Sequence, residues 1–219
     1  KATWQDNPRA SETDIAEARR SMSEAEFSQE YEADFNIFEG QIWNFNYDEC
    51  IADLSEMDFS GMDIISGLDV GFKDPTALCV LAFDGHKYYL MEEYYAAERT
   101  TEEHAGYLSE IIERREVDYC FIDAAAAQTR FDFAQQYDIS TINAKKSVVD
   151  GIGHVASLID NDRLIVDSSC VEVLRSLDQY RWDPNPNLIR EKPVHDSSSH
   201  MADALRYALY TFEESAPTF

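Results

Sequence analysis

With 219 residues, 44% hydrophobic and 12% aromatic, the chain can bury one sizeable α/β core with a smaller appendage, which excludes a disordered polymer. A formal net charge of −25 excludes a protein that grips nucleic acid through a generally basic surface, though not one that meets phosphates through bound cations. No apolar run approaches the roughly 20 residues that span a bilayer, so no membrane partner is expected.

Lys1 opens mid-pattern, with no basic stretch followed by an apolar one. The sequence therefore shows no secretory signal and reads as an excerpt of a longer one. Ser11-Glu12-Thr13-Asp14 and Ser23-Glu24-Ala25-Glu26 are capping-box patterns that predict short helices. Residues 35–60 are aromatic and acidic (Phe35, Phe38, Trp43, Phe45, Tyr47) with weak periodicity, and predict an irregular connection packed against a neighbour. Residues 1–60 hold 4 Lys+Arg and 15 Asp+Glu, so the acid excess is denser there than in the remainder. A domain boundary is expected near residue 60.

From residue 61 onward, strand and helix patterns alternate. Ile64–Val70 predicts a short strand and Thr76–Phe83 a second, and Asp84-Gly85 is a turn signal leading into a third, Tyr88–Tyr95. Thr100-Thr101-Glu102-Glu103 is a capping box opening a helix whose stripe is Ala105, Leu108, Ile111 and Ile112. Val117–Asp123 is an almost continuous apolar run, as a central parallel strand requires. A helix near 128–137, a strand near 139–143 and a helix near 149–160 follow. After them come a short strand Arg163–Val166, a helix Val171–Tyr180, a Pro-rich polar loop over 183–198, and a final helix from about Ser199 to Phe212. Three meandering strands followed by β-α-β-α predict an RNase H-like mixed sheet flanked by helices, antiparallel at its start and parallel afterwards. A doubly wound nucleotide-binding fold would open β-α-β. Cys50, Cys79, Cys120 and Cys170 are scattered and form no CxxC pair; Cys79 and Cys120 sit inside apolar runs where buried thiols are expected, a reduced compartment fits, and a zinc site is not expected.

Three aspartates stand out by position. Asp69 ends the first predicted strand and Asp123 the fourth; if those strands are parallel neighbours, both carboxylates emerge at the edge where ligands of α/β sheets gather. Asp203 lies in the first turns of the last helix. There Met201, Leu205, Leu209 and Phe212 form one stripe with Ala204 and Ala208, while His200, Asp203 and Tyr207 fall on the other side. The bland reading of that side is a solvated face. The alternative is chemistry: phosphodiester hydrolysis uses two divalent ions roughly 4 Å apart, and Mg²⁺ and Mn²⁺ prefer carboxylate and water ligands. Asp69 is the expected bridging ligand, with Asp123 and Asp203 each holding one side. His200 is an outer ligand, a proton shuttle or an orienting group for Asp203, or else a first-turn histidine in solvent. Lys145 and Lys146 follow the fifth strand and, near a metal edge, would meet DNA phosphates. Asp74, ahead of Pro75, reads as a turn former, and Arg206 as a structural partner for an acid on its own helix.

These residues resemble the C-terminal nuclease part of the large terminase subunit of tailed bacteriophages. The likeness runs through Gly67-Leu68-Asp69-Val70-Gly71-Phe72-Lys73-Asp74-Pro75-Thr76-Ala77. It continues through Ile122-Asp123-Ala124 with Asn143-Ala144-Lys145-Lys146-Ser147 and Asp150-Gly151-Ile152, and ends in His200-Met201-Ala202-Asp203-Ala204-Leu205-Arg206-Tyr207 after Lys192-Pro193-Val194. It covers most of 64–212. Trp4-Gln5-Asp6-Asn7-Pro8 and Glu26-Phe27-Ser28-Gln29-Glu30-Tyr31 look like the tail of the packaging ATPase and its linker, which implies a division into 1–60 (ATPase tail and linker) and 61–219 (nuclease domain). The Walker A pattern GxxxxGK[ST] is absent from the sequence, so ATP hydrolysis is not expected of it.

The resemblance implies a metal-dependent endonuclease cutting concatemeric double-stranded viral DNA during packaging, with Mg²⁺ or Mn²⁺ as cofactors. Its implied partners are the small terminase subunit, the portal protein and the enzyme's own ATPase domain. Its implied place is the host cytoplasm, on the procapsid and absent from the mature virion. One departure is Ala124–Ala127, four alanines where relatives often place a polar or acidic residue; a ligand missing there would weaken metal binding or shift it onto Asp196. The competing readings are another RNase H-fold nuclease of the resolvase or transposase kind, and a non-catalytic docking module of a packaging motor. A sugar-kinase-like ATPase would need a second phosphate hairpin and a Gly-rich adenosine site, neither of which the sequence contains.

Overall fold

The computed structural model describes residues 40–184 and 192–215. The capping boxes at 11–14 and 23–26, the segment before residue 40, and residues 185–191 of the polar loop lie outside the described residues. In chain order the elements are α1 (Tyr47–Cys50), β1 (Ile51–Ala52), β2 (Asp63–Asp69), β3 (Thr76–Phe83), β4 (Tyr88–Ala96) and α2 (Thr101–Arg114). They continue with β5 (Tyr119–Ile122), α3 (Ala127–Gln136), β6 (Ile142–Asn143), α4 (Val148–Asp160), β7 (Leu164–Asp167), α5 (Val171–Gln179) and α6 (Ser199–Ser215).

The strands form one seven-stranded sheet in the order β1-β7-β4-β3-β2-β5-β6. β3 runs antiparallel to β2 and β4, and every other ladder is parallel. This is the mixed sheet expected of the strand order, with the second strand of the meander reversed. Alternation along the strands sorts side chains to two faces. Ile65, Ala77, Cys79, Leu81 and Phe121 join the core under α4, α5 and α6. Ile64, Leu68, Leu78, Val80, Cys120 and Ile122 join the core with Leu108 and Ile111 of α2 and Phe133 of α3.

The α2 start is a complete capping box: the Glu103 backbone N–H donates to Thr100 Oγ1 at 3.2 Å, and the Thr100 N–H donates back to Glu103 Oε2 at 2.8 Å. Thr100→Ala removes one half of this reciprocal pair and is expected to cost about 1 kcal/mol, read as a lower midpoint in urea with an unchanged slope.

Two expectations change. The aromatic stretch read as an irregular connection contributes an edge strand: Ile51 and Ala52 pair in parallel with Val166 and Asp167, and the Leu54 N–H donates to Asp167 Oδ2 at 2.7 Å. Trp43 and Phe45 bury in the α4–α6 core, where Trp43 Nε1 donates to the Ile152 carbonyl at 3.2 Å. The second change concerns α6: the bland reading of its polar side, a solvated face, does not hold. The helix meets β2, β3 and β5 and also α4 and α5. His200, Arg206 and Tyr207 are therefore covered along with the apolar stripe.

Gly67 lets α6 lie this close. A Cβ there would fall 1.8 Å from the Ala204 carbonyl oxygen and 2.8 Å from the Ala208 nitrogen, so only a bare backbone fits. All four cysteines are buried free thiols. No helix among the described residues is long and apolar enough to cross a membrane.

Candidate metal centre

Parity and register place the carboxylates. Leu68 of β2 stands opposite Ile122 of β5 in a parallel ladder, so Asp69 and Asp123 are the next residues out at the same end of neighbouring strands, roughly 5 Å apart by strand spacing. Asp69 shares the parity of Ile65 and Gly67, and Asp123 that of Phe121; both therefore face α6. From α6, His200 Nδ1 lies 3.0 Å from Asp69 Oδ2. Asp203 sits one turn further along the same helix. Tyr207, a turn beyond it, has its hydroxyl pKa driven up first by burial and then by the charges of Asp203, Asp69 and Asp123. One phenol thus feels all three acids, which come from residues 69, 123 and 203 of the chain.

Each carboxylate has one oxygen engaged by the protein. Asp69 Oδ2 meets His200; Asp123 Oδ1 accepts from the Ala125 N–H at 3.0 Å and lies 3.8 Å from Lys146 Nζ; Asp203 Oδ1 accepts from Arg206 Nη2 at 2.8 Å and Nε at 3.3 Å. Among the described residues no donor engages Asp69 Oδ1, Asp123 Oδ2 or Asp203 Oδ2. Three uncommitted, hard oxygen donors at one rim are a donor set that suits Mg²⁺ or Mn²⁺, so the residues present fit a divalent-ion site.

The electrostatics agree with crowding of like charge. Burial pushes the Asp203 carboxyl above its ordinary range; Arg206 opposes this, and the nearby Asp69 charge adds to it. The hydrogen bond to Asp69 raises the His200 pKa, against the pull of burial, with further help from Asp69, Asp74 and Asp203. Arg206 is the structural partner expected on its own helix. Its stem packs against Gly151, where a Cβ would come within 2.7 Å of Arg206 Cγ.

The remaining residues divide. Lys146 is exposed beside Asp123, and Lys145 is exposed with its backbone N–H donated to Thr211 Oγ1. Asp196 has both oxygens engaged: its Oδ1 accepts from Ser198 N and Oγ, and its Oδ2 lies 3.1 Å from Arg181. Sequence reasoning missed His195, which precedes α6 and approaches Asp74, the residue read only as a turn former. The spacing of His195 and His200 on either side of a helix start was the available signal.

Comparison with known proteins settles the family, because the profile described as "Terminase RNaseH-like domain" matches residues 61–212. The chain belongs to the terminase RNaseH-like domain family. It is 45% identical over 220 residues to the terminase large subunit of Escherichia phage T5, covering 95% of this chain and 50% of that protein, so it spans about half the length of this curated relative. Among solved structures, the large terminase of the thermophilic bacteriophage D6E matches with a TM-score of 0.83 at 23% identity, covering 96% of this chain and 53% of that one. The large terminase nuclease domain of bacteriophage SPP1, crystallised with bound Mn, matches with a TM-score of 0.59 at 19% identity, covering 76% and 96%. As in other members of this terminase family, the fold is RNase H-like.

Proposed function

We propose that this chain is the nuclease part of a phage DNA-packaging terminase, a divalent-metal-dependent endonuclease that cuts concatemeric double-stranded DNA. The observation that supports this reading is that Asp69 and Asp123 follow paired residues at the same end of parallel strands and Asp203 lies one helical turn from His200, which bonds Asp69, each acid keeping one oxygen that no described donor engages. Family membership and the manganese reported with the SPP1 nuclease domain support it. Asp69, Asp123 and Asp203 would hold the ions through their oxygens that no described donor engages. Bound there, two divalent ions would supply an activated water and a charge sink for the leaving oxygen.

The chain's own groups do the rest. His200 orients Asp69 by its hydrogen bond, Arg206 holds Asp203 by one oxygen, and the exposed Lys146 ammonium is placed to meet a phosphate beside Asp123. DNA approach to so acidic a chain runs through bound cations and these lysines rather than through a basic surface. The wider setting belongs to the same proposal: an attached ATPase domain, a portal ring and a small terminase subunit as partners, in the host cytoplasm during packaging.

Plasmid nicking tests it. Supercoiled DNA is expected to become nicked and linear in Mn²⁺ or Mg²⁺, with little sequence preference, and to stay intact in EDTA. Cleavage that persists in chelator would overturn the two-ion reading.

A further inference from the structure

We propose that Arg130 of α3 binds a backbone phosphate of the DNA at the β6 edge of the sheet, beside the carboxylate rim. The inference rests on the nuclease reading for its polyanion and adds a contact that reading does not use. β6 is the last strand of the sheet and pairs in parallel with β5, with Asn143 opposite Ile122. Asp123 directly follows Ile122, so Asn143 stands at the rim end of the edge strand. Arg130 reaches it from the first turn of α3. Its Nη1 donates to Asn143 Oδ1, its Nε to Thr141 Oγ1 at 3.3 Å, and its Nη2 to the Thr141 carbonyl at 3.3 Å.

The nature of these acceptors is the telling point: all three are neutral. Arg114, Arg115, Arg163, Arg175, Arg181 and Arg206 each meet a carboxylate. Arg130 meets none among the described residues, in a chain whose 43 acids far outnumber its 18 Lys and Arg. The acid of its own helix, Asp132, accepts from Gln128 Nε2 at 2.9 Å. Ala124–Ala127 bring no carboxylate to the turn ahead of it. Neutral oxygens orient a guanidinium yet leave its charge uncompensated. They also leave two of its five N–H groups for an incoming acceptor. A half-buried guanidinium held in this way suits a planar contact with phosphate and loses little freedom on making it.

Position identifies the partner. Lys145 and Lys146 follow β6 and are exposed, with Lys146 Nζ 3.8 Å from Asp123 Oδ1. Arg130, Lys145 and Lys146 therefore flank one short edge strand that ends at the acids. A duplex lying across the rim carries phosphates on both sides of the cut, and this edge offers cations to receive those on one side.

A purely structural role, stapling α3 to β6, is the rival reading. Duplex binding followed by fluorescence anisotropy across a salt series separates the two, with Ca²⁺ replacing Mn²⁺ because it takes the same oxygen ligands. The proteins are wild type, Arg130→Gln, Arg130→Lys and Lys87→Gln. Lys87 lies in the turn after β3, at the opposite end of the sheet from Asp69, so its variant removes one positive charge without the contact. Arg130→Gln is expected to bind about tenfold more weakly, as loss of one charge-assisted hydrogen bond implies. Its slope of log affinity against log salt should shrink by about 0.9, the share of one phosphate. Arg130→Lys, cationic but without the fork, should keep the slope while losing affinity, and Lys87→Gln should keep the slope. An unchanged slope in Arg130→Gln overturns the contact, and so does a wild type that binds no duplex. A melting temperature lowered alike in both Arg130 variants, with the slope unmoved, would leave Arg130 only a staple. Nicking in Mn²⁺ keeps the two proposals apart. A wild type that nicks while Arg130→Gln retains its slope loses the contact alone; one that binds through Arg130 and never nicks loses the nuclease reading alone.

Discussion

Asp69→Ala is expected to reduce Mn²⁺-supported DNA nicking by about a thousandfold or more, since on the proposed reading Asp69 would hold divalent ions on which several kcal/mol of transition-state stabilisation would depend. Folding should hardly notice. Asp69 contributes its backbone to the ladder opposite Ala77 whatever its side chain. The substitution removes the hydrogen bond to His200, worth about 1 kcal/mol, but also removes a negative charge that adds to the effect of burial in raising the Asp203 carboxyl's pKa. The two effects oppose each other. A melting temperature within about 4 °C of wild type, on either side, is therefore the expected companion of lost activity. A deep fall in melting temperature would mark Asp69 as structural. A wild-type chain without any metal-stimulated cleavage would favour the docking-module reading, which has no activity for the substitution to remove.

Gly67→Ala is expected to have the largest effect on stability of any single methyl. Its Cβ would stand 1.8 Å from a main-chain oxygen of α6, and a helix backbone cannot swing aside as a side chain can. Overpacking of this kind costs about 3 kcal/mol or more, a fall of roughly 6–12 °C in a chain of this size. If α6 instead retreats from β2, His200 and Asp203 retreat with it. A smaller thermal loss should then come with weaker Mn²⁺ binding and slower nicking. Calorimetry alongside the nicking assay separates the two responses, and a variant unaltered in both would show that α6 does not sit on Gly67.

Much of this was legible in the sequence because period and punctuation survive folding. The strand Thr76–Phe83 was read at its observed ends, and the Thr100 capping box opens α2 as its residues require. Asp69 and Asp123 were recognisable because each closes an apolar strand. What escaped notice depended on contacts between distant segments. Nothing local in Ile51-Ala52 says strand; two residues become one only where Val166 and Asp167 offer an open edge. The helical period of α6 distinguished an apolar stripe from a polar side, yet burial of His200 against Asp69 of β2 and of Arg206 against Gly151 of α4 depends on elements distant in sequence. Asp74 read as a turn residue because its partners, His195 and His200, lie far away in sequence.

The alternation along β2 has a consequence for how such a chain can diverge. Ile65, Gly67 and Asp69 point one way only because they are two apart. Substitution at Ile64 or Leu68 changes a core by degrees, whereas gain or loss of one residue between 65 and 69 would turn the acid toward α2 and put a side chain where α6 needs bare backbone. Length polymorphism should accordingly be shut out of this strand and find room instead in the polar stretch before α6, so that across relatives the gaps, more than the exchanges, trace where the carboxylate rim is anchored.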